Sequence, residues 1–162
     1  MIATAAELQS AMRLAPATVA VVTAQSNGER NGLTATSFCS VSMEPPTMLV
    51  CVNQDSMTHG LISASRRYCV NLLGAEHMDA AHSFASTKTG DEKFDGANTV
   101  IEERDGVLLL KNALANIVCE LSDTLDVGSH TVFIGIVKSV DISEDSEPLL
   151  YGKQTYGLFT GS

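Results

Sequence analysis

Residues 31–59 read NGLTATSFCSVSMEPPTMLVCVNQDSMTH, and the fold turns on how this stretch divides. Residues 47–53 (TMLVCVN) are an apolar run of strand length, rich in β-branched side chains. Pro45-Pro46 precedes it, and two missing N–H groups should stop pairing before the strand begins. Residues 31–43 hold two Thr, three Ser, a Gly and a Cys, too polar for a core strand and too β-branched for a helix. They read as an edge that presents hydroxyls and free backbone N–H groups, the equipment for gripping a planar heterocycle with several carbonyls and ring nitrogens. The same composition also fits an ordinary Ser/Thr-rich strand and turn. Beyond Asn53, the side chains of Asp55, Ser56 and Thr58 offer N-cap oxygens, so a short helix should start there with its unpaired N–H groups facing the strand end. A phosphate can sit at such a junction, although simple capping also accounts for Asp55 or Ser56.

Working outward, residues 18–24 (TVAVVTA) read as a buried strand that Ser26-Asn27-Gly28 turns back into a second strand near Leu33. Residues 68–73 (YCVNLL) are a further strand, and residues 99–103 and 107–110 flank the hairpin signal Asp105-Gly106. Two long strands over 115–125 and 131–142 are joined through residues 126–129. Thr4-Ala5-Ala6-Glu7 has capping-box spacing for a helix running to about Pro16, expected to lie as a lid. A third helix is predicted over 76–85 and a polar surface loop over 86–96. Six or more strands against three short helices, with hairpin turns where parallel crossovers would need helices, predict a mainly β, antiparallel barrel, with residues 1–162 as one domain.

With 44% hydrophobic and 18% charged residues the chain suits a globular fold, and the −9 formal charge works against a nucleic-acid backbone or an anionic membrane as partner. The N-terminus carries no basic run followed by an apolar stretch, and no window approaches a membrane span, so a soluble, cytoplasmic protein is expected. Cys39, Cys51, Cys69 and Cys119 form no CxxC pair and are expected as free thiols. His77 and His82, five residues apart on the predicted helix, do not share a face as metal ligands would. Neither GxSxG, GxGxxG nor GxxxxGK[ST] occurs, so hydrolase elbow, Rossmann loop and P-loop all lack their signature. Lys93-Phe94 sets a cation beside an aromatic in the expected loop, where it either covers a ligand or is solvated charge. His130 follows Gly128-Ser129 and should sit at a barrel rim, exposed or against a cofactor.

Taken in order, VAVVTA (19–24), the block 31–59, YCVNLL (68–73), EKFDG (92–96) and GSHTVFIGIV (128–137) resemble the short-chain flavin reductases, the reductase components of two-component flavin-dependent monooxygenases. The resemblance runs from about Leu14 to Phe159. It implies a split β-barrel of the FMN-binding type, working as a homodimer that reduces FAD or FMN with NADH or NADPH for a partner monooxygenase. It further implies that Thr36, Ser37, Cys39, Ser40 and Val41 line the isoalloxazine and ribityl chain, with Asn53, Ser56 and Thr58 nearer the phosphate. Lys93 and Phe94 would close over the flavin, and His130 and Tyr156 would meet the nicotinamide. NADH is the expected donor, since no Arg cluster awaits a 2′-phosphate. A non-catalytic flavin- or haem-binding module and a flavin-dependent ferric reductase are the alternatives on the same barrel.

Overall fold

Residues 2–143 and 146–159, which the computed structural model describes, form twelve strands and four α-helices. Thr4 caps α1 (Ala5–Met12) in a reciprocal capping box with Glu7, as the spacing predicts. The helix ends at Met12 and buries no residue, so it is not the expected lid. β1 (Ala17–Thr18) and β2 (Ala20–Ser26) follow, and Asn27 and Gly28, both at positive φ, turn β2 into β3 (Glu29–Ala35). Only Thr36 and Ser37 separate β3 from β4 (Phe38–Met43), which returns through Glu44-Pro45 into β5 (Pro46–Asn53). Pro46 pairs with Met43, so pairing starts one residue earlier than the proline pair suggests, because a first strand residue can lack a ladder N–H.

Ser56 caps α2 (Met57–Ser65), and Arg66, in the left-handed region, ends it before β6 (Arg67–Leu72). A 3₁₀ turn (Ala75–His77) and α3 (Met78–Ala85) together make the helix predicted over 76–85. The expected polar loop over 86–96 contains α4 (Asp91–Gly96), whose Lys93 and Phe94 are buried. The β7 (Ile101–Arg104) to β8 (Val107–Leu110) hairpin turns at Asp105-Gly106, both at positive φ. β9 (Ala115–Val127) and β10 (His130–Ile142) are the two long strands. A last hairpin, β11 (Leu149–Gly152) to β12 (Thr155–Leu158), turns through Lys153 and Gln154 in the left-handed region without the glycine that would have announced it.

Seven strands pair antiparallel in the order β3-β2-β6-β9-β10-β5-β4. β3 and β4 stand at opposite ends of this order, yet two residues connect them. Laid flat, six strand spacings would hold the edges about 29 Å apart, whereas three Cα steps reach at most about 11 Å. The sheet must therefore curl until its edges approach, which is the antiparallel split β-barrel that the strand count predicts.

Val22, Val50, Val52, Tyr68, Val70 and Phe133 fill the barrel, plugged by Leu61 and Ile62 of α2. Val19 and Val21 of the same β2 region point the other way, into Leu73, Phe84, Phe94 and Leu110 beneath α3 and α4. Asn71 ties the layers together. Its Nδ2 donates to Val21 O and Thr23 Oγ1, while its Oδ1 accepts from Leu110 N and Asn116 Nδ2. Both of its polar ends are thus satisfied at zero exposure, and removing either partner would orphan a buried group.

The barrel also holds acids that burial keeps protonated. Desolvation, with a smaller contribution from a neighbouring thiol, pushes the Cys69 thiol well above its ordinary range, and burial pushes Cys119 up to about 12 from 9.0. Unfolded, both thiols ionise near pH 9, so between there and the folded value the native state binds more protons and stability falls as pH rises. Urea titrations should lose roughly 1 kcal/mol per pH unit for each thiol above pH 9, and Cys119→Ala should remove part of that slope. A flat stability profile across this range would show that neither thiol is held protonated.

Candidate functional site

The closing of the barrel leaves a cleft beside the β3–β4 link. A cavity of about 780 Å³ opens between the end of β3, α3 and the β11–β12 hairpin, with Thr34, Thr36, His82, Tyr151, Gln154 and Tyr156 among its lining. Tyr156 stacks edge-on against His82 at 5.0 Å and meets Tyr151 at 5.1 Å between ring centroids. Burial, and then the Tyr151 phenol, hold the Tyr156 phenol above its ordinary value, so it remains a neutral donor at physiological pH. Thr34 Oγ1 donates to Ala81 O at 2.7 Å and pins α3 to the barrel edge.

Thr36 forms one corner of this cavity and also starts the polar edge. Ser37 Oγ donates to Cys51 O at 3.2 Å, and Cys51 N donates to Ser37 O. Beyond it, β4 pairs only with β5 and so keeps a free outer edge of peptide groups. Cys39 and Ser40 are exposed along that strand, and Val41 occupies an irregularity between Ser40 and Ser42. Burial, and then Cys39, raise the pKa of the Cys51 thiol, so it is not an activated nucleophile.

The far end of β5 carries a second polar group. Asn53 Oδ1 accepts from Asp55 N, Ser56 Oγ donates to Asn53 O, and the same Oγ accepts from His59 N at 3.2 Å. His59 Nε2 lies 2.9 Å from Thr131 Oγ1, which donates to Asp126. Thr58 Oγ1 is buried with no hydrogen-bond partner, the one orphaned hydroxyl beside this helix start. His130 pairs with Asn53 across β5 and β10, and its Nδ1 lies 2.9 Å from Ser129 Oγ, which leaves Nε2 for a ligand.

Two expectations about the site fare differently in three dimensions. Thr36 and Tyr156 share the large cavity, and Asn53, Ser56, Thr58 and His130 gather at one rim; His130 is not in the lining of the large cavity where Tyr156 lies. Lys93 and Phe94, expected to close over a ligand, turn inward. Lys93 Nζ donates to Gly32 O at 3.0 Å and Phe84 O at 3.2 Å, its pKa lowered by burial, and Phe94 packs edge-on against Phe84 with Arg30 over its ring. The cause is α4, which replaces the expected open loop and fastens α3 to β3. In the sequence, His82 is weighed only as a metal ligand and Tyr151 and Gln154 are not singled out, although the paired tyrosines of YGKQTY were the signal available.

The flavin reductase like domain family model matches residues 12–159. The reductase component of an FADH(2)-dependent resorcinol hydroxylase from a Rhizobium species is 38% identical over 150 residues, 91% of this chain and 83% of that one. An FMN reductase (NADH) of Methylorubrum extorquens is 36% identical over 152 residues, 94% of this chain and 75% of that one. Among solved structures, the NADH:FAD oxidoreductase of Streptomyces globisporus in complex with NAD and FAD fragments has a TM-score of 0.87 at 31% identity, covering 96% of this chain and 92% of its own.

Thr58 allows a direct check on the helix junction. Thr58→Val keeps the shape and removes the orphaned hydroxyl, so the ligand-free protein should be unchanged or stabilised by about 1 kcal/mol. A loss beyond about 1 kcal/mol in urea titration would mean that the hydroxyl has a partner within the fold.

Proposed function

Because this chain belongs to the flavin reductase-like domain family, we propose that it is an NAD(P)H-dependent flavin reductase, reducing FAD or FMN and supplying the reduced flavin to a partner flavin-dependent monooxygenase. The observation that carries this reading is the juncture at Thr36, where an unpaired, hydroxyl-bearing strand edge meets a cavity walled by aromatics. Flavin and nicotinamide together supply the hydride chemistry, moving hydride from nicotinamide C4 to flavin N5, so the protein's task is orientation.

The residues present suit that task. The free peptide edge of β4, with Thr36, Ser37, Cys39, Ser40 and Val41, offers the donors and acceptors that an isoalloxazine edge and ribityl chain require. The Thr58 hydroxyl and the start of α2, beside Asn53 and Ser56, offer donors for a phosphate. Tyr156, a neutral phenol stacked on His82, supplies a flat wall with a donor for a nicotinamide. His130 lies at the Asn53 rim, apart from the Tyr156 chamber, and is assigned to orienting through Nε2 a nicotinamide that approaches the flavin from that side; hydride transfer does not oblige it to move a proton. Lys93 and Phe94 act from behind this surface by holding α3 and β3 together.

The described residues work as one domain in this reading, and as a homodimer. Exposed Val41, Met43, Val140 and Ile142 support that state, because Met43 and Val140 border an apolar cleft of about 310 Å³ that a second copy would cover. Four free cysteines support a cytoplasmic location, where thiols stay reduced, and no described helix is long and apolar enough to cross a membrane. NADH is the proposed donor.

A steady-state assay crossing NADH and NADPH with FAD, FMN and riboflavin tests the activity. NADH should be consumed in step with added flavin; a protein that binds flavin and consumes no nicotinamide would be a carrier module instead. His130→Ala should lower kcat/KM for NADH about five- to hundredfold at unchanged flavin affinity. If flavin binding is lost in that variant, His130 belongs to the flavin rim. Light scattering should give twice 17.1 kDa, and a monomer at micromolar concentration would refute the dimer.

A further inference from the structure

A second groove of about 470 Å³ adjoins the large cavity and shares Thr36, Tyr151 and Gln154 with it. Its other wall is built from the C-terminal end of α1 and the β11–β12 turn. Lys153 N donates to Arg13 O at 2.7 Å, and Gly152 sits so close to Pro16 that a Cβ there would lie 3.0 Å from the Pro16 Cα. Both contacts hold Arg13 and Lys153 at the same groove.

Charge makes this arrangement unusual. The chain has 19 acidic and only 10 basic side chains. Arg30, Arg67, Arg104, Lys111 and Lys138 meet carboxylates, Arg66 meets the Leu121 carbonyl, and Lys93 is buried on carbonyls. Among the described residues, the charged ends of Arg13, Lys88 and Lys153 alone have no such partner, and two of the three line this groove. No described carboxylate lines either chamber. A protein of −9 charge repels a dinucleotide at long range, so a local pair of uncommitted cations in an acid-free cleft answers a specific need.

We propose that Arg13 and Lys153 form a phosphate-binding annex that holds the pyrophosphate arm of a dinucleotide whose reactive ring occupies the adjoining Tyr156 chamber. The proposal rests on the flavin reductase reading for the identity of the ring, and on the geometry alone for the anion. NADH and FAD both carry the arm; the assignment of the Tyr156 chamber to the nicotinamide makes NADH the expected occupant.

Calorimetric titration of the ligand-free protein with ADP-ribose, which has the arm and neither reactive ring, separates the annex from the chemistry. Arg13→Gln with Lys153→Gln should raise the ADP-ribose Kd about tenfold or more, and added salt should weaken wild-type binding in the same direction. Lys88→Gln, which removes the third uncommitted cation away from the cleft, should leave the Kd unchanged and is compared with each single variant, Arg13→Gln and Lys153→Gln, at equal net charge. In turnover, the double variant should raise KM for NADH with kcat little changed if the arm belongs to the nicotinamide, or KM for FAD without affecting riboflavin if it belongs to the flavin. A larger loss with NADPH than with NADH would assign the cations to a 2′-phosphate and overturn the pyrophosphate contact. An ADP-ribose Kd equal in the double variant and wild type would overturn the annex even if the enzyme reduces flavin. Binding that depends on both cations in a protein that reduces no flavin would keep the annex and remove the reductase reading.

Discussion

Everything in this molecule hangs on the shortness of one connection. Thr36 and Ser37 alone join two strands that stand at the opposite limits of a seven-stranded order, so curvature is imposed by covalent reach. Closure then decides the rest: it places alternate β2 side chains in two separate cores, leaves the outer edge of β4 unpaired, and sets the connecting residues where edge and cavity meet. Within the link, Ser37 is bonded to Cys51 of β5 through both its hydroxyl and its carbonyl, and is thereby a fixed place to build a ligand contact.

Polar groups inside the protein divide into those that finish the fold and those left for something else. Asn71, Asn116 and Thr23 satisfy one another and the β8 backbone, and Lys93 spends its donors on carbonyls of β3 and α3. Thr58 is buried without a partner, and the cations of the N-terminal segment and tail turn have none. Arg13 and Lys153 lie at the cleft and Thr58 at the start of α2, while Asn71, Asn116, Thr23 and Lys93 are committed to the fold beneath. This partition suits chemistry supplied by the bound molecules, for which the protein contributes shape and a sparse set of donors.

How much of this was readable depends on whether the signal was local. Asn27-Gly28 and Asp105-Gly106 announced their hairpins because positive φ is costly for most residues, and the Thr4–Glu7 spacing announced α1. The Lys153-Gln154 turn adopts the same backbone without such residues, so the hairpin that walls the cavity was silent. Polarity misled over 86–96, where DEKFDG looks solvated yet buries Lys93 by aiming its ammonium at two carbonyls. The edge character of 31–43 was visible in its hydroxyls, whereas the proximity of Thr36 to Tyr156 was not, since no pattern couples residues that far apart. The family resemblance supplied the polar rim residues in advance; it did not supply His82 or the groove beside Arg13.

The tail hairpin is peripheral to the large sheet and central to the cleft. A chain cut before residue 149 would keep every strand of the seven-stranded sheet and lose one buried core residue of that hairpin, Leu149, together with Tyr151, Gln154 and Tyr156. The barrel and the hydroxyl-bearing edge of β4 are therefore one structural unit, and the outer wall of the large chamber is another, added to it by a single hairpin.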